Sequence, residues 1–251
     1  MKISFELIPS SDKYISEQID FIKKNKKIFN AINIPDILKL KKRSWDIDNN
    51  KRIKDIEYIP HLRAIDFNLE DSKIDTILKD SYLTKILIIK GDASSDFSSK
   101  TYDTSTLDLI KYIKSNYPEI IIYAGFDPYR SSLKEEIFYM NEKLEAGADF
   151  LMSQPFFDLN LIKVFTNQID PQKLFLGISP VLTEGSKNYW ENINDVSFPS
   201  NFSIDLDYNV SLANDIIELA QDINSNIYFM PIRVDFEKYF ENIKIKGVTC
   251  S

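Results

Sequence analysis

The stretch from Leu144 to Asp158, which reads LEAGADFLMSQPFFD, constrains the fold more than any other part of the chain. A charged amphipathic run ends at Gly147, and glycine is favoured at a helix C-terminus because it adopts a left-handed backbone most easily. The apolar, strand-like segment Phe150–Met152 follows at once. A helix that leads directly into a short buried strand is half of a β/α repeat unit.

One polar side chain, Gln154, stands at the end of this strand. Parallel β/α folds keep their ligand chemistry at the carboxyl ends of their strands. We therefore expect Gln154 to face a ligand, and capping of a loop is the alternative interpretation. Phe156 is a candidate substrate contact beside it, although the pair Phe156-Phe157 is more typical of core packing than of a stacking platform.

Similar strand-like segments recur along the chain, and amphipathic stretches of helical period separate most of them. The predicted strands are residues 3–8, 28–34, 56–65, 85–89, 120–123, 150–152, 174–178 and 227–230. Their spacing is typical of β/α units, so we expect residues 1–251 to form a single α/β domain, one (β/α)8 TIM barrel. Pro60 indicates an irregular or terminal position in the third strand, because proline cannot donate to a sheet ladder.

Two segments of the chain are predicted to be loops. Residues 39–54 are highly charged and predict a loop with a short helix, whose basic residues face solvent. Arg43, Ser44 and Trp45 are alternative ligand contacts in this segment. Residues 93–104 are rich in Ser, Thr and Asp, which is typical of a mobile loop.

The composition argues against several classes of protein. A formal net charge of -7 argues against a general nucleic-acid binder, since phosphate contacts need clustered Lys and Arg. One cysteine, Cys250, and one histidine, His61, argue against a disulfide framework and a metal site. No apolar run is long enough to span a membrane and the N-terminus does not resemble a signal peptide, so we expect a cytoplasmic protein. No GxGxxG or GxxxxGK motif occurs, so any nucleotide cofactor must be held in another way.

Polar residues at the strand ends converge on one mouth if the barrel closes. They are Glu6, His61, Asp92, Asp127 and Gln154, with Lys90 and Arg130 beside them. A carboxyl group that points into an apolar interior resists ionisation, which makes Glu6 a candidate proton donor; a structural carboxylate is the alternative. Asp92 follows a glycine that leaves room for a ligand, and a loop turn is its alternative. For His61 a buried, hydrogen-bonded ring is the more typical role.

Five segments of the chain, in this order, carry a resemblance to a known family. They are FELIPS at 5–10, PHLRAID at 60–66, LIIKGD at 87–92, LEAGADFLMSQPFFD at 144–158 and LGISPV at 176–181. Together they resemble methylenetetrahydrofolate reductases, and the resemblance covers most of the chain. Members of that family are eight-stranded β/α barrels. They bind FAD and reduce methylenetetrahydrofolate to methyltetrahydrofolate with NADH or NADPH as the hydride source.

The resemblance implies roles for the residues at the strand ends. Glu6 would be the general acid that helps to open the five-membered ring of the folate. Asp92 would favour the cationic iminium that accepts the hydride, and Gln154 would hydrogen-bond the pterin. The remaining implied contacts are to the cofactor and involve His61, Lys90, Gly91, Ala124, Asp127 and Arg130. The implied partner is a small-molecule folate, and a homo-oligomer is compatible with the sequence.

The chain departs from the family pattern mainly where the flavin is expected. NIPDILKLKKRSWD, from Asn33, replaces a Gly/Thr-rich turn after the second strand, and Asn141 and Glu142 replace a basic pair before the AGA turn. AGFDPYR replaces a proline- and histidine-bearing loop after the fifth strand, and Thr183-Glu184 replaces an aromatic residue after LGISPV. Our hypothesis is that folate binding persists while FAD is bound weakly, differently or not at all.

Three functions follow as alternatives. The first is a folate reductase that uses FADH2 or takes the hydride directly from NAD(P)H. The second is a folate-binding partner that exchanges one-carbon folates with a methyltransferase or demethylase. The third is a barrel enzyme that acts on an unrelated small anion, with Lys90 and Arg130 as clamps.

Overall fold

The computed structural model of the protein describes residues 1–8, 11–37, 43–46, 52–93, 99–232, 234–245 and 248–249. The barrel strands are β1 (Ile3–Glu6), β2 (Ala31–Ile34), β3 (Glu57–Arg63), β4 (Lys85–Ile89), β5 (Ile121–Phe126), β6 (Phe150–Pro155), β7 (Leu174–Ile178) and β8 (Asn226–Phe229). All eight pair in parallel with their neighbours in chain order, and β8 closes the ring against β1. The predicted (β/α)8 barrel is confirmed.

Helices flank the barrel on its outer side. They are α1 (Asp12–Lys24), α2 (Lys73–Asp80), α3 (Thr106–Asn116), α4 (Leu133–Glu145), α5 (Leu159–Thr166), α6 (Glu184–Ile193), α7 (Leu206–Asp222) and α8 (Phe236–Phe240). A short antiparallel pair, β9 (Lys244–Ile245) and β10 (Val248–Thr249), follows α8. Within the described part of the chain, no helix combines the length and the apolar character needed to cross a membrane.

Strand alternation divides the buried side chains into two layers, because successive residues of a strand face opposite sides of the sheet. The outer layer lies between strands and helices; in it Phe5 packs against Phe29 with ring centroids 5.3 Å apart. The inner layer fills the barrel with the apolar side chains of Ala31, Ile59, Leu87, Tyr123, Met152, Phe175, Tyr228 and Met230. The same alternation therefore decides which polar residues at the strand ends face the interior.

Paired charges and stacked rings close the N-terminal end of the barrel. Lys85 Nζ forms an ion pair with the Glu57 carboxylate, and Lys2 Nζ lies 3.8 Å from the same group. Above them, Tyr123 stacks on Phe150 with ring centroids 5.1 Å apart. A ligand therefore reaches the interior from the opposite end, where the carboxyl ends of the strands lie.

β4 and β7 have the predicted bounds, and the other six strands begin or end at other residues, with the clearest differences at β2 and β3. β2 begins at Ala31, and the preceding Ile28 and Phe29 are buried in the outer layer. β3 spans Glu57–Arg63 and continues into a 3-10 turn at Ala64–Asp66. Apolar residues in a buried connection carry the same sequence signal as a strand, which explains both differences.

Pro60 lies inside β3, so the prediction of an irregular or terminal position is wrong. It is the last residue of β3 that pairs with β2, opposite Ile34. Pairing with β4 begins at the next residue, His61. The missing N–H of proline therefore falls where one ladder ends and the other begins.

Gly147 follows α4 with a φ of 116°, which confirms the predicted left-handed position. An added Cβ at this residue would also meet the Lys114 side chain. Both backbone conformation and space therefore require glycine here.

The two predicted loops lie partly outside the described residues, at 38–42, 47–51 and 94–98. The predicted short helix and the predicted mobility fall on these segments. The described end of the second loop is hydrogen-bonded to the connection after β3. Tyr102 N donates to Ile65 O at 2.8 Å, and Thr104 Oγ1 donates to Phe67 O at 2.6 Å.

Replacement of Gly177 by alanine tests the close approach of β6 and β7. An added Cβ would lie 2.7 Å from Gln154 O and 2.7 Å from Met230 Cε. Such overpacking costs about 1–3 kcal/mol, so we expect Gly177→Ala to lower the free energy of unfolding by that amount in a urea titration. The control is Gly185→Ala in α6, where the nearest atom lies 4.0 Å away and alanine favours the helix. Equal destabilisation by both variants would contradict this packing.

Candidate active site

Glu6 is the last residue of β1 and its side chain faces the barrel interior. Ile3 and Phe5 pack in the outer layer, so alternation turns Ser4 and Glu6 inward. The Tyr228 hydroxyl, on the neighbouring strand β8, donates a hydrogen bond to Glu6 Oε2. Burial in the barrel raises the pKa of Glu6 to about 7, against a smaller lowering by the Tyr228 hydrogen bond. The carboxyl group is therefore poised to exchange a proton near neutral pH.

Tyr228 is a functional candidate that the sequence reasoning missed. Its ring belongs to the inner layer and is 3% exposed. Burial and the neighbouring Glu6 raise the pKa of Tyr228 well above its ordinary value, so the hydroxyl keeps its proton and acts as a donor. Alternation along β8, with Tyr228 and Met230 on one side and Ile227 and Phe229 on the other, is the signal that would have placed it in the interior.

A second polar pair lies beside Glu6 on β1 and β2. Asn33, opposite Glu6 in the register of the two strands, donates from Nδ2 to Ser4 Oγ. Ser4 Oγ in turn donates to Ala31 O at 3.4 Å. The amide orientation of Asn33 is thus fixed, and its Oδ1 is buried without a hydrogen-bond partner. This oxygen is free to accept a hydrogen bond from a ligand.

His61 faces the interior from β3 and carries no charge at neutral pH. Burial lowers its pKa to about 3. Its main-chain oxygen accepts a hydrogen bond from Ser44 Oγ at 2.5 Å, but Nε2 of the ring is buried without a partner. Ser44 therefore bonds the main chain of β3 and leaves the His61 ring unbonded. The ring is available to a ligand.

Unpaired polar atoms are concentrated at the mouth of the barrel. Buried polar atoms without partners are rare in folded proteins and call for a ligand, an ion or water. By alternation, three of those in the described residues lie on inward-facing side chains at the carboxyl ends of strands: Asn33 Oδ1, His61 Nε2 and Ser179 Oγ. Their concentration marks this end of the barrel as the ligand site. The sequence reasoning did not single out Asn33 or Ser179.

Gln154 lies near the end of β6, in the stretch between Met152 and Pro155 where the register of β6 against β7 is irregular. It is partly exposed, as a residue at the mouth should be. Glu6 and Gln154 thus lie at the same end of the ring, on strands separated by β7 and β8. Their position at one end of the barrel agrees with the prediction, while their convergence on one ligand and their chemical roles stay predictions.

The Arg63 side chain fills the space beside Gly91. Gly91 has a φ of 80°, and an added Cβ would lie 2.6 Å from Arg63 Nε and 2.9 Å from Arg63 Cβ. The Arg63 guanidinium donates to Asp92 O and lies 3.7 Å from the Asp66 carboxylate. The interpretation that Gly91 leaves room for a ligand is therefore wrong in this structure, because Arg63 fills that room.

The side chains of Asp92, Lys90 and Arg130 lie at the rim rather than in the interior. The Asp92 side chain is 90% exposed, and Arg130 Nη2 lies 3.8 Å from its carboxylate with the arginine 60% exposed. Lys90 is also exposed. The structure therefore does not bring the Asp92 carboxylate next to Glu6.

Two further predicted contacts lie behind the barrel wall. Ala124 is fully buried and packs in the outer layer, so its side chain cannot line the mouth. Phe156 is 1% exposed and packs on Phe126 and Phe165, with ring centroids 6.3 and 6.0 Å away. The prediction that Phe156 contacts substrate is wrong for this structure; the side chain is part of the core.

The connection between β5 and α4 satisfies its own polar groups. Asp127 N donates to Glu136 Oε1 at 3.1 Å, and the Asp127 carboxylate accepts from Tyr129 N at 3.0 Å. Ser132, at the start of α4, exchanges hydrogen bonds with Glu135. Internal carboxylates therefore occupy the N–H groups of Asp127, Tyr129 and Ser132 in this connection.

The basic residue Lys143 of α4 faces the connection between β5 and α4. It is 2% exposed, and its Nζ donates to Gly125 O at 2.8 Å and lies 3.8 Å from Glu136 Oε1. Burial lowers the pKa of Lys143 to about 8, against the opposing effect of Glu136. Asn141 is exposed on the other side of the helix. The charge of Lys143 is thus engaged inside the protein.

Among the described residues, no three His, Cys, Asp or Glu side chains come together as a metal-binding group. The polar side chains of the mouth instead form hydrogen-bonding and proton-exchanging pairs.

Comparison with protein families and curated proteins gives one consistent result. A family model described as methylenetetrahydrofolate reductase matches residues 13–221. "Methylenetetrahydrofolate reductase 2" of Saccharomyces cerevisiae is 29% identical over 178 residues, which are 64% of this chain and 29% of that protein. "5,10-methylenetetrahydrofolate reductase" of Buchnera aphidicola is 25% identical over 213 residues, 79% of this chain and 72% of that protein. The chain thus spans less than a third of the yeast relative's length.

Solved structures resemble the chain in fold. The catalytic domain of a hyperthermophilic chitinase from Pyrococcus furiosus superposes with a TM-score of 0.56 at 9% identity, over 92% of this chain and 84% of that one. Oxaloacetate acetylhydrolase superposes with a TM-score of 0.55 at 9% identity, over 95% and 78%. At such low sequence identity, these similarities show a shared barrel fold and give no information about the reaction.

The raised pKa of Glu6 makes folding stability depend on pH. Glu6 stays protonated up to about pH 7 when folded but ionises near 4.5 when unfolded. The stability of the wild type relative to Glu6→Gln should therefore be greatest below pH 4.5, fall by on the order of 2 to 3 kcal/mol up to pH 7, and then level off. Urea titrations of both proteins across this range measure the difference. A difference independent of pH would show that the carboxyl group ionises normally.

Proposed function

The chain belongs to the methylenetetrahydrofolate reductase family, and we propose that it reduces methylenetetrahydrofolate to methyltetrahydrofolate with a reduced nicotinamide dinucleotide as the hydride source. The family generally uses a flavin and a nicotinamide donor. The observation that carries the proposal is Glu6, a carboxyl group held protonated near neutral pH at the mouth of the barrel. The match to the family model begins after Glu6 and ends before Tyr228, so the contact between these two residues adds a structural observation to that match.

The proposed reaction needs one proton and one hydride, and Glu6 supplies the proton. Protonation of a ring nitrogen by Glu6 lets the adjacent bond to the methylene carbon break, which opens the five-membered ring and leaves a cationic iminium. The hydride then adds to the methylene carbon to give the methyl group. Solvent returns a proton to the Glu6 carboxylate. A group with a pKa near the working pH is suited to both steps.

Recognition of the pterin is assigned to the polar groups of the mouth. A pterin edge carries both donors and acceptors, and Gln154 offers an amide that matches both. Asn33 Oδ1 and His61 Nε2 are buried and unpaired, so a bound ring that reaches them relieves the cost of their burial. Asp92 would attract the cationic iminium from the rim. This attraction is weak, because solvent screens the charge of an exposed carboxylate.

The described residues do not fit a flavin dinucleotide on the β3–β5 side, where the resemblance expects it. Arg63 covers Gly91, so a ring system cannot lie against that backbone. A diphosphate needs cations or free N–H groups, yet Lys143 is paired with Glu136 and carboxylates accept from the N–H groups of Asp127, Tyr129 and Ser132. Lys90 and Arg130 are exposed at the rim, outside the interior. We therefore infer that FAD is not held at this position, and no step of the reaction is routed through it.

The same observation favours a second candidate function. A barrel that has kept the pterin side of the mouth without the dinucleotide side would bind one-carbon folates and pass them to a methyltransferase or demethylase. Such a protein binds methylenetetrahydrofolate and oxidises neither NADH nor NADPH in its presence. Oxidation of either nucleotide coupled to methyltetrahydrofolate formation separates the two functions.

Glu6→Gln tests the proposed proton donor. The amide keeps the size of the side chain but cannot give a proton, so we expect turnover to fall by about 10²- to 10⁴-fold. Binding of methylenetetrahydrofolate, followed by calorimetry, should stay within a few-fold of the wild type. Glu119→Gln, an exposed carboxylate before β5 at the far end of the barrel, is the matched control. Wild-type turnover in Glu6→Gln would remove Glu6 from the mechanism.

The visible absorbance spectrum tests the fit of the flavin. We expect the protein, purified without added cofactor, to show no flavin band, because Arg63 covers Gly91 and Lys143 is engaged with Glu136 on the side where the flavin is expected. Added FAD should likewise give no saturable quenching of flavin fluorescence. Stoichiometric bound flavin would overturn this inference while leaving the proposed reduction in place.

A further inference from the structure

We propose that Tyr228 is a positioning residue for Glu6, whose hydroxyl occupies Oε2 and so directs the transferable proton of Glu6 to Oε1. This inference rests on the proposed function, because it concerns the same acid. It goes beyond that function because it names a second residue in the proton step and assigns the two carboxyl oxygens different tasks.

Closure of the barrel sets the geometry of the pair. β1 and β8 are neighbours, and Tyr228 lies opposite Ser4 in their register. Glu6 is two residues further along β1 on the same face, so the tyrosine ring reaches up the barrel wall to meet it. The ring is 3% exposed within the inner layer, and its surroundings fix the direction of the hydroxyl. A hydroxyl held in this way can orient the carboxyl group it contacts.

The two oxygens of Glu6 differ in their partners. Tyr228 donates to Oε2, and no described residue forms a hydrogen bond with Oε1. Tyr228 keeps its own proton because burial and Glu6 both raise its pKa. Oε2 therefore accepts a hydrogen bond whether Glu6 is protonated or ionised, and the acidic proton resides on Oε1. Oε1 is the oxygen left to meet a substrate nitrogen.

The hydrogen bond also favours the product of proton transfer. A hydrogen bond to a carboxylate is about twice as strong as one to a neutral acid. Tyr228 consequently stabilises ionised Glu6 more than protonated Glu6, and it opposes part of the effect of burial on the Glu6 pKa. Without the hydroxyl, Glu6 would hold its proton more tightly and would lose its fixed orientation.

The other groups that face Glu6 do not titrate near neutral pH. Asn33 on β2 lies opposite Glu6 and carries no ionisable group. His61 on β3 faces the same interior and stays neutral above about pH 3. Among the described residues, Tyr228 on β8 is therefore the group that can change the Glu6 titration. A change in that titration on removal of the hydroxyl reports on this contact.

Tyr228→Phe tests the proposal, with Tyr239→Phe as the matched control. Tyr239 is also fully buried, but its hydroxyl has no partner, so its loss removes a buried hydroxyl without touching Glu6. We expect Tyr228→Phe to lower kcat about ten- to hundredfold, the value of a hydrogen bond to a charged group. The descending limb of its pH–rate profile should move to higher pH, since Glu6 keeps its proton longer. Tyr239→Phe should match the wild type in both respects.

A measurement without turnover separates failure of this proposal from failure of the proposed function. Infrared difference spectra against Glu6→Gln follow protonation of the Glu6 carboxyl group directly. An upward shift of the midpoint in Tyr228→Phe and none in Tyr239→Phe supports the pair, even if no folate is turned over. An unchanged midpoint in Tyr228→Phe, or an equal shift in Tyr239→Phe, overturns it.

Labelling of tyrosine with ¹³C at Cζ gives the same answer in the unmodified side chain and does not require Tyr228→Phe to fold. The Tyr228 resonance should shift with the titration of Glu6 near pH 7, and this shift should vanish in Glu6→Gln. The Tyr239 resonance should not move. A Tyr228 resonance that does not shift as Glu6 titrates would contradict the contact.

Discussion

Partial withdrawal of the Glu6 carboxyl group from water is the constraint on which the chemistry of this barrel depends. The inner layer is apolar along most of its depth, and the Lys2–Glu57–Lys85 ion pairs close it at the N-terminal end. A carboxyl group at the top of this layer gains little from ionisation, since the interior solvates a charge poorly. An ordinary glutamate thereby becomes an acid that holds its proton near neutral pH. The hydrogen bond from Tyr228 opposes the rise in the Glu6 pKa and so limits it.

Ring closure is the second requirement, because it joins the two ends of the chain. Glu6 and Tyr228 are 222 residues apart and lie on β1 and β8, which meet only when the barrel closes. The same closure places Asn33 beside Glu6 on the other side. The acid and its neighbours are thus products of the whole fold rather than of any local motif. Loss of closure would return Glu6 to water and to the behaviour of an exposed carboxylate.

The two sides of the mouth differ in how their polar groups are satisfied. Around β1, β2 and β8, a neutral acid and an unpaired amide oxygen remain available to a ligand. Around β3 to β5, Arg63 covers Gly91 and Lys143 is paired with Glu136, so the buried cations there are already engaged within the protein. The structure therefore offers a group for proton donation at β1. It offers no comparable group for anion binding in the connection between β5 and α4. The family relationship and this asymmetry together define the proposed function.

The sequence by itself determined the barrel and the end at which we expect its chemistry. Alternating segments such as residues 3–8 and the helix-to-strand junction at Gly147 carry local backbone preferences, which are legible without a structure. Glu6 and Gln154 could be placed at one mouth because strand ends in a parallel barrel must converge. Tertiary structure alone decided which neighbours these residues have. Tyr228 on Glu6, Arg63 over Gly91 and the burial of Phe156 in the outer layer depend on register and on contacts across long separations, and no local pattern encodes those.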